Sequence, residues 1–80
     1  MKPAFENIPL VRNESANQFE MKIDNQLAFI NYEVQHDNTI SLMHTEVAPA
    51  LAGTGAAAAL VEKTLIYLEK EGWLMQPYCP

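Results

Sequence analysis

Apolar and polar residues alternate along three runs of the chain, which is the pattern of half-buried β-strands. Short polar segments, Asp24-Asn25 and His36-Asp37-Asn38, separate the runs and suit tight turns because Asn and Asp tolerate positive φ. We therefore predict an antiparallel meander of three strands. The residues that share a face are, run by run, Phe19, Met21 and Ile23; Ala28, Ile30, Tyr32 and Val34; and Ile40, Leu42, His44 and Glu46.

The period becomes helical from Gly55 onward. Thr54 can serve as the N-cap of this helix, and Gly72 fits the position just after its C-terminus. The stripe predicted to face the sheet is Ala57, Leu60, Val61, Thr64, Leu65 and Leu68. Trp73–Tyr78 is then predicted as a last strand, parallel to Thr39–Val47 because a helical crossover reaches it.

The start of the chain shows less pattern. Residues 1–7 give no periodic signal, so we expect a loose lead, and Ile8–Asn13 is predicted as a short first strand. The predicted fold class is α+β, with the order β-β-β-β-α-β, a mixed sheet and a right-handed β-α-β crossover. With 80 residues, the chain is expected to form one domain around a single core.

Charge and composition narrow the possible functions. The formal net charge is −5 and the five basic residues are scattered, which argues against a nucleic-acid or anionic-membrane surface. An acidic body suits a cationic substrate such as an amine. No apolar run reaches the ~20 residues of a membrane span and no signal-peptide core is present, and a lone cysteine excludes an internal disulfide. We expect a cytoplasmic protein with a free thiol and no metal site.

A glycine loop carries the strongest chemical signal. Gly53-Thr54-Gly55 follows a strand and opens a helix, whose first N–H groups lack intrahelical partners and whose dipole favours an anion. This arrangement predicts a phosphate or pyrophosphate site, although a plain turn is an equally open interpretation of an isolated Gly-x-Gly. The letters also match a dinucleotide fingerprint, but the antiparallel strands that precede the loop exclude that context.

Two further blocks accompany the loop, and together they resemble a family. His44-Thr45-Glu46-Val47 precedes the loop, and Pro77-Tyr78-Cys79-Pro80 follows the helix. From Val11 to Pro80 the chain resembles the minimal, single-domain branch of the GNAT acetyltransferases. Ala52 stands where that branch usually carries Arg. The branch also continues past the Cys block into another short helix, so we expect a truncated acceptor side.

The resemblance implies a cofactor and its binding residues. Acetyl-CoA would bind between the fourth and fifth strands, with its pantetheine arm along Thr45, Glu46 and Val47. The backbone N–H near Val47 would stabilise the oxyanion. The pyrophosphate would lie on the amides of Gly53, Thr54, Gly55, Ala56 and Ala57.

His44 and Cys79 are the predicted catalytic residues. An imidazole can deprotonate an amine, although a sheet-face histidine held by hydrogen bonds is the competing interpretation of His44. Cys79 could protonate the departing thiolate or carry the acetyl group, whereas its structural interpretation is a small buried hydrophobe. Tyr78 and Glu46 are lesser candidates.

We therefore predict an acetyl-CoA-dependent N-acetyltransferase whose acceptor is a primary amine, on a small molecule or a protein. The alternative is a non-catalytic module that binds acyl-CoA. The two differ in whether CoA is released from acetyl-CoA when an amine is supplied.

Overall fold

Five strands form one mixed sheet, and a long helix packs on one of its faces. The computed structural model describes residues 2–76. Strand order is β1-β2-β3-β4-β5, antiparallel throughout except that β5 runs parallel to β4, as the sequence predicts. The elements are α1 (Pro3–Glu6), β1 (Val11–Asn13), β2 (Gln18–Ile23), β3 (Gln26–Val34), β4 (Thr39–Val47), a 3-10 turn (Pro49–Leu51), α2 (Ala56–Lys70) and β5 (Leu74–Gln76).

Tight turns with left-handed backbone connect the strands of the meander. Asp24 and Asn25 have φ of 49° and 64°, and Ile23 pairs directly with Gln26 across this two-residue turn. Positive φ at both central positions matches the right-handed twist of the strands. The turn between β3 and β4 places Asp37 and Asn38 at φ of 57° and 58°. The predicted turn positions are confirmed.

The core lies between α2 and the sheet face that carries the alternating apolar residues of β2 and β3. Ala56, Ala59, Leu60, Thr64 and Leu68 are buried on the helix, and their partners on the sheet include Phe19, Met21, Ala28, Ile30, Tyr32 and Ile40. Thr64 is satisfied in this apolar setting because its hydroxyl donates to the Leu60 carbonyl at 2.8 Å.

The predicted helix stripe is partly wrong. Leu60, Thr64 and Leu68 are buried, but Ala57 is exposed and Val61 and Leu65 keep 37% and 39% of their surface in solvent. The helix meets the sheet through Ala56 and Ala59, whose small side chains allow a close approach. The larger residues at 61 and 65 are consequently turned away from the sheet.

The N-terminal segment is part of the core, which corrects the expectation of a loose lead. Phe5 on α1 is only 6% exposed and packs in the cluster of Met21, Ala28 and Leu60. Lys63 of α2 also donates a hydrogen bond to the Glu6 carbonyl at 3.1 Å. Strand β1 starts at Val11 and not at Ile8, which corrects the predicted bounds, and Ile8 and Leu10 pack against the core clusters ahead of the strand.

Both ends of α2 have defined caps. At the C-terminus, Gly72 adopts φ of 78°, and the bonds from Trp73 N–H to the Leu68 carbonyl (2.9 Å) and from Gly72 N–H to the Glu69 carbonyl (3.2 Å) form a Schellman motif. This confirms the predicted role of Gly72. At the N-terminus the N-cap is Gly55, which corrects the prediction of Thr54.

Arg12 joins β1 to the segment that leads into β5. Its guanidinium lies 5.3 Å from the ring centroids of both Tyr32 and Trp73 and donates to the Tyr32 hydroxyl at 3.1 Å. That hydrogen bond raises the pKa of Arg12, so the side chain stays charged under all ordinary conditions. This cation–π arrangement fixes Trp73 just before β5 begins.

Candidate functional site

A β-bulge interrupts β4 halfway along its length. Ile30 pairs with Thr45 and Tyr32 pairs with Leu42, so Met43 and His44 together lie opposite the single residue Asn31. A bulge of this kind breaks the alternation of side chains and re-aims those beyond it.

The bulge corrects the prediction that Ile40, Leu42, His44 and Glu46 share a face. Glu46 pairs with Phe29, on the sheet face opposite α2, whereas Ile40 and Leu42 contribute to the core under the helix. His44 accompanies Glu46, because its Nε2 lies 3.3 Å from a carboxylate oxygen of that residue. Regular alternation along β4 would have kept all four side chains on one face.

His44 and Glu46 form an exposed polar pair. Their side chains are 65% and 60% accessible, so His44 is not a core histidine. The carboxylate of Glu46 is within hydrogen-bond distance of the imidazole and can hold the ring in one orientation. The pair is therefore equipped to take a proton from a group that approaches this face of the sheet.

Strand β5 pairs with the first part of β4. The described register joins Thr39 to Leu74, Ile40 to Met75 and Ser41 to Gln76. Tyr78 and Cys79, and with them the end of the predicted strand, lie outside the described residues. The approach of Cys79 to His44 therefore stays a prediction.

The glycine loop connects the end of β4 to the start of α2. Leu51, only 7% exposed, anchors its 3-10 turn in the core, and Gly53 and Gly55 follow with φ of 76° and 93°. Thr54 braces the turn, since its hydroxyl donates to the Leu51 carbonyl at 2.6 Å and accepts the N–H of Ala56 at 3.3 Å. The loop is thus held at both of its ends.

The amides of the loop divide into occupied and open groups. Thr54 N–H donates to the Leu51 carbonyl at 3.2 Å, and Ala56 N–H donates to the Thr54 hydroxyl. Within residues 2–76, no acceptor is bonded to the N–H groups of Gly53, Gly55, Ala57 and Ala58. The first turn of α2 also lacks an acidic side chain. Open donors at a helix N-terminus without a local carboxylate suit an external anion.

Lys2, which was not among the predicted site residues, also reaches the loop. Its ammonium donates to the Thr54 carbonyl at 2.7 Å. A Cβ at position 55 would lie 3.3 Å from Cε and 3.4 Å from Nζ of Lys2. No sequence signal could have identified this contact, since Lys2 precedes the loop by 52 positions and stands in a segment without periodicity.

Two other kinds of site are not found in the described part of the chain. No helix there is long and apolar enough to cross a bilayer. Residues 2–76 also contain no group of three or more His, Cys, Asp or Glu side chains placed to hold a metal ion.

Comparison with known families gives one match. The model of a family described as GCN5-related N-acetyl-transferase matches residues 18–80, which include β2 to β5, the glycine loop and α2. A search of curated proteins finds no match. A mixed five-stranded sheet with a helix on one face is compatible with the α+β fold of that family.

Proposed function

Because the chain belongs to the GCN5-related N-acetyltransferase family, we propose that it transfers an acetyl group from acetyl-CoA to a primary amine. Family membership indicates an acyltransferase in general, and the cofactor and acceptor are our proposal. The observation that carries it is the loop between β4 and α2, where glycines with positive φ leave backbone N–H groups open to an anion.

The residues of the loop fit a pyrophosphate. Gly53 has no atom within 4 Å of the position of a Cβ, so a ligand can approach its backbone closely. The open N–H groups of Ala57 and Ala58 belong to the first turn of α2 and point along the helix axis, where the dipole adds positive potential. The side chains of Ala57 and Ala58 are small and exposed, so they leave room for phosphate oxygens.

The remainder of the cofactor is assigned to the second half of β4. We place the pantetheine arm along the extended backbone of Thr45, Glu46 and Val47, beyond the part of β4 that pairs with the described residues of β5. The N–H of Val47 would then donate to the thioester carbonyl and stabilise the negative charge that develops there. Acetyl-CoA supplies the activated acetyl group when bound.

His44 is the proposed base. Its imidazole would remove a proton from the acceptor amine, whose nitrogen then attacks the acetyl carbonyl carbon as the carbon–sulfur bond breaks. Glu46 would orient the imidazole and attract a cationic acceptor, in agreement with the net charge of −5. We assign the proton that the departing thiolate needs to Cys79, with an acetyl-cysteine intermediate as the other route.

The activity test measures CoA release from acetyl-CoA with a panel of primary amines. We expect His44→Gln to lower kcat by about 100-fold while CoA affinity stays unchanged, because a base acts on the acceptor and not on the cofactor. His36→Gln is the matched control, since His36 is exposed in the β3–β4 turn. Equal kcat in the two variants would remove the catalytic role of His44.

Mass spectrometry distinguishes the two routes through Cys79. With acetyl-CoA and no amine, a nucleophilic Cys79 leaves the protein one acetyl group heavier, and Cys79→Ser abolishes the adduct. No adduct, together with normal turnover in Cys79→Ala, would exclude a chemical role for the thiol.

The second candidate function is a non-catalytic acyl-CoA-binding module. It is favoured by the exposed Ala52, which brings no positive charge to the loop beside the glycines. Binding of CoA by the wild-type protein, without CoA release for any amine in the panel, would establish this alternative.

A further inference from the structure

We propose that Lys2 is the cationic ligand of the phosphate-binding loop, and that its ammonium turns from the Thr54 carbonyl to the pyrophosphate oxygens when CoA binds. This inference rests on the proposed function, because it names a further binding residue of the same loop. It assigns a role to a side chain outside residues 18–80, the part that the family model matches.

The side chain of Lys2 already lies against the loop. Lys2 Nζ lies 2.7 Å from the Thr54 carbonyl oxygen, and its side chain covers the side of Gly55 where a Cβ would stand. The ammonium therefore lies beside the residue that caps α2. A short rotation of a flexible four-carbon stem is enough to exchange one oxygen ligand for another.

The charge of Lys2 and the helix dipole of α2 have the same sign at the loop. A cation at the N-terminus of a helix adds to the positive end of the dipole, which is unfavourable in the absence of an anion. The first turn of α2 contains no acidic residue that would neutralise the ammonium of Lys2 there. The ammonium and the open N–H groups therefore form one positive site that a dianionic ligand would neutralise.

The backbone of Lys2 is fixed while its side chain is exposed. Lys2 is the N-cap residue of α1, and its carbonyl accepts the N–H of Phe5 at 3.0 Å. Phe5 in turn is buried in the main core cluster. The core thus holds the base of the lysine next to the loop, and binding costs little additional ordering of the main chain.

Three of the four other Lys and Arg residues have different partners or positions. Lys63 donates to the Glu6 carbonyl, Arg12 lies against the rings of Tyr32 and Trp73, and Lys70 is at the opposite end of α2. Lys70 therefore offers a matched control, because its replacement removes the same charge at the end of α2 opposite the loop.

The experiment compares CoA with pantetheine, which lacks the pyrophosphate, by calorimetry on the full chain. We expect Lys2→Gln to weaken CoA binding about five- to tenfold and to leave pantetheine binding unchanged, because a charge-assisted bond to phosphate is lost. Lys70→Gln should change neither affinity by more than about twofold. The salt dependence of CoA binding should be shallower in Lys2→Gln than in wild type.

Other results of these measurements would contradict the role of Lys2, the proposed function or both. If wild type binds CoA and Lys2→Gln binds it equally well, the inference is wrong and the proposed function stands. If Lys2→Gln loses affinity for pantetheine to the same extent, Lys2 supports the structure and does not bind phosphate. If the wild-type protein does not bind CoA, both proposals fail. Lys2→Arg, which keeps the charge, should retain CoA binding, and its loss would also contradict the inference.

Discussion

Gly55 meets two separate requirements at one position. Its φ of 93° lies in the region that side chains with a Cβ avoid, and the space beside its Cα is filled by the side chain of Lys2. Gly72, at the other end of α2, meets only the first requirement, because nothing lies within 4 Å of its Cβ position. A comparison of variants at the two glycines therefore distinguishes the effect of backbone strain from the effect of losing a binding surface.

We expect Gly55→Val to abolish CoA binding, because a branched side chain at this position forces both the backbone and Lys2 away from the loop. Gly72→Val should lose comparable stability, about 1–2 kcal/mol for a β-branched residue in left-handed backbone, yet bind CoA normally. Calorimetry on the folded variants measures this difference. Wild-type affinity in Gly55→Val would remove the assignment of the loop as a phosphate site.

The glycines were predictable from the sequence, whereas Lys2 was not. A Gly after a helical pattern and a Gly-x-Gly before it have few uses other than left-handed backbone, so Gly53, Gly55 and Gly72 indicated their own conformation. The contact of Lys2 with Thr54 depends on how α1 packs against α2. That packing follows from the burial of Phe5, which one isolated aromatic residue does not reveal in a sequence.

At the scale of elements, strands were easier to predict than the orientation of the helix. Alternation in β2 and β3 identified their buried residues because each strand has only two faces. A helix offers several adjacent stripes, and the apolar content of α2 allowed both the stripe through Ala56, Leu60 and Thr64 and the one through Ala57, Val61 and Leu65. Close packing of the alanines against the sheet decided between them.

The orientation of α2 predicts a difference between two leucines. Leu60→Ala should lower the free energy of unfolding by about 2–5 kcal/mol, because Leu60 is fully buried and its loss leaves a cavity. Leu65→Ala should cost less than about 1 kcal/mol, since Leu65 is 39% exposed. Urea denaturation of both variants checks the prediction. Equal losses would mean that the helix is rotated from its described orientation.

At the scale of the whole molecule, α1 closes the core over one end of α2. In a chain of 80 residues, a single aromatic side chain is a large part of the buried apolar surface. Phe5 contributes to the same cluster as residues of β2, β3 and α2, so it joins the start of the chain to the sheet through the core.

Phe5→Ala should therefore lower the free energy of unfolding by about 3 kcal/mol, at the low end for a buried aromatic residue because α1 can partly collapse onto the space. Ile66→Ala is a suitable control, since Ile66 is 57% exposed on α2 and should lose well under 1 kcal/mol. Thermal and urea denaturation would show the difference. A Phe5→Ala variant as stable as wild type would restore the expectation of a loose lead.

The bulge in β4 changes which alternate residues of the strand face α2. Before Met43, residues of even number face α2, and after His44, residues of odd number face it. No substitution can reverse this relation, because an exchange of side chains leaves the count of residues unchanged. Only an insertion or a deletion does so, and removal of Met43 would restore a regular ladder. In that variant His44 would follow Leu42 directly and would still lie opposite Asn31, so the imidazole would stay on the sheet face away from α2 while the strand became regular.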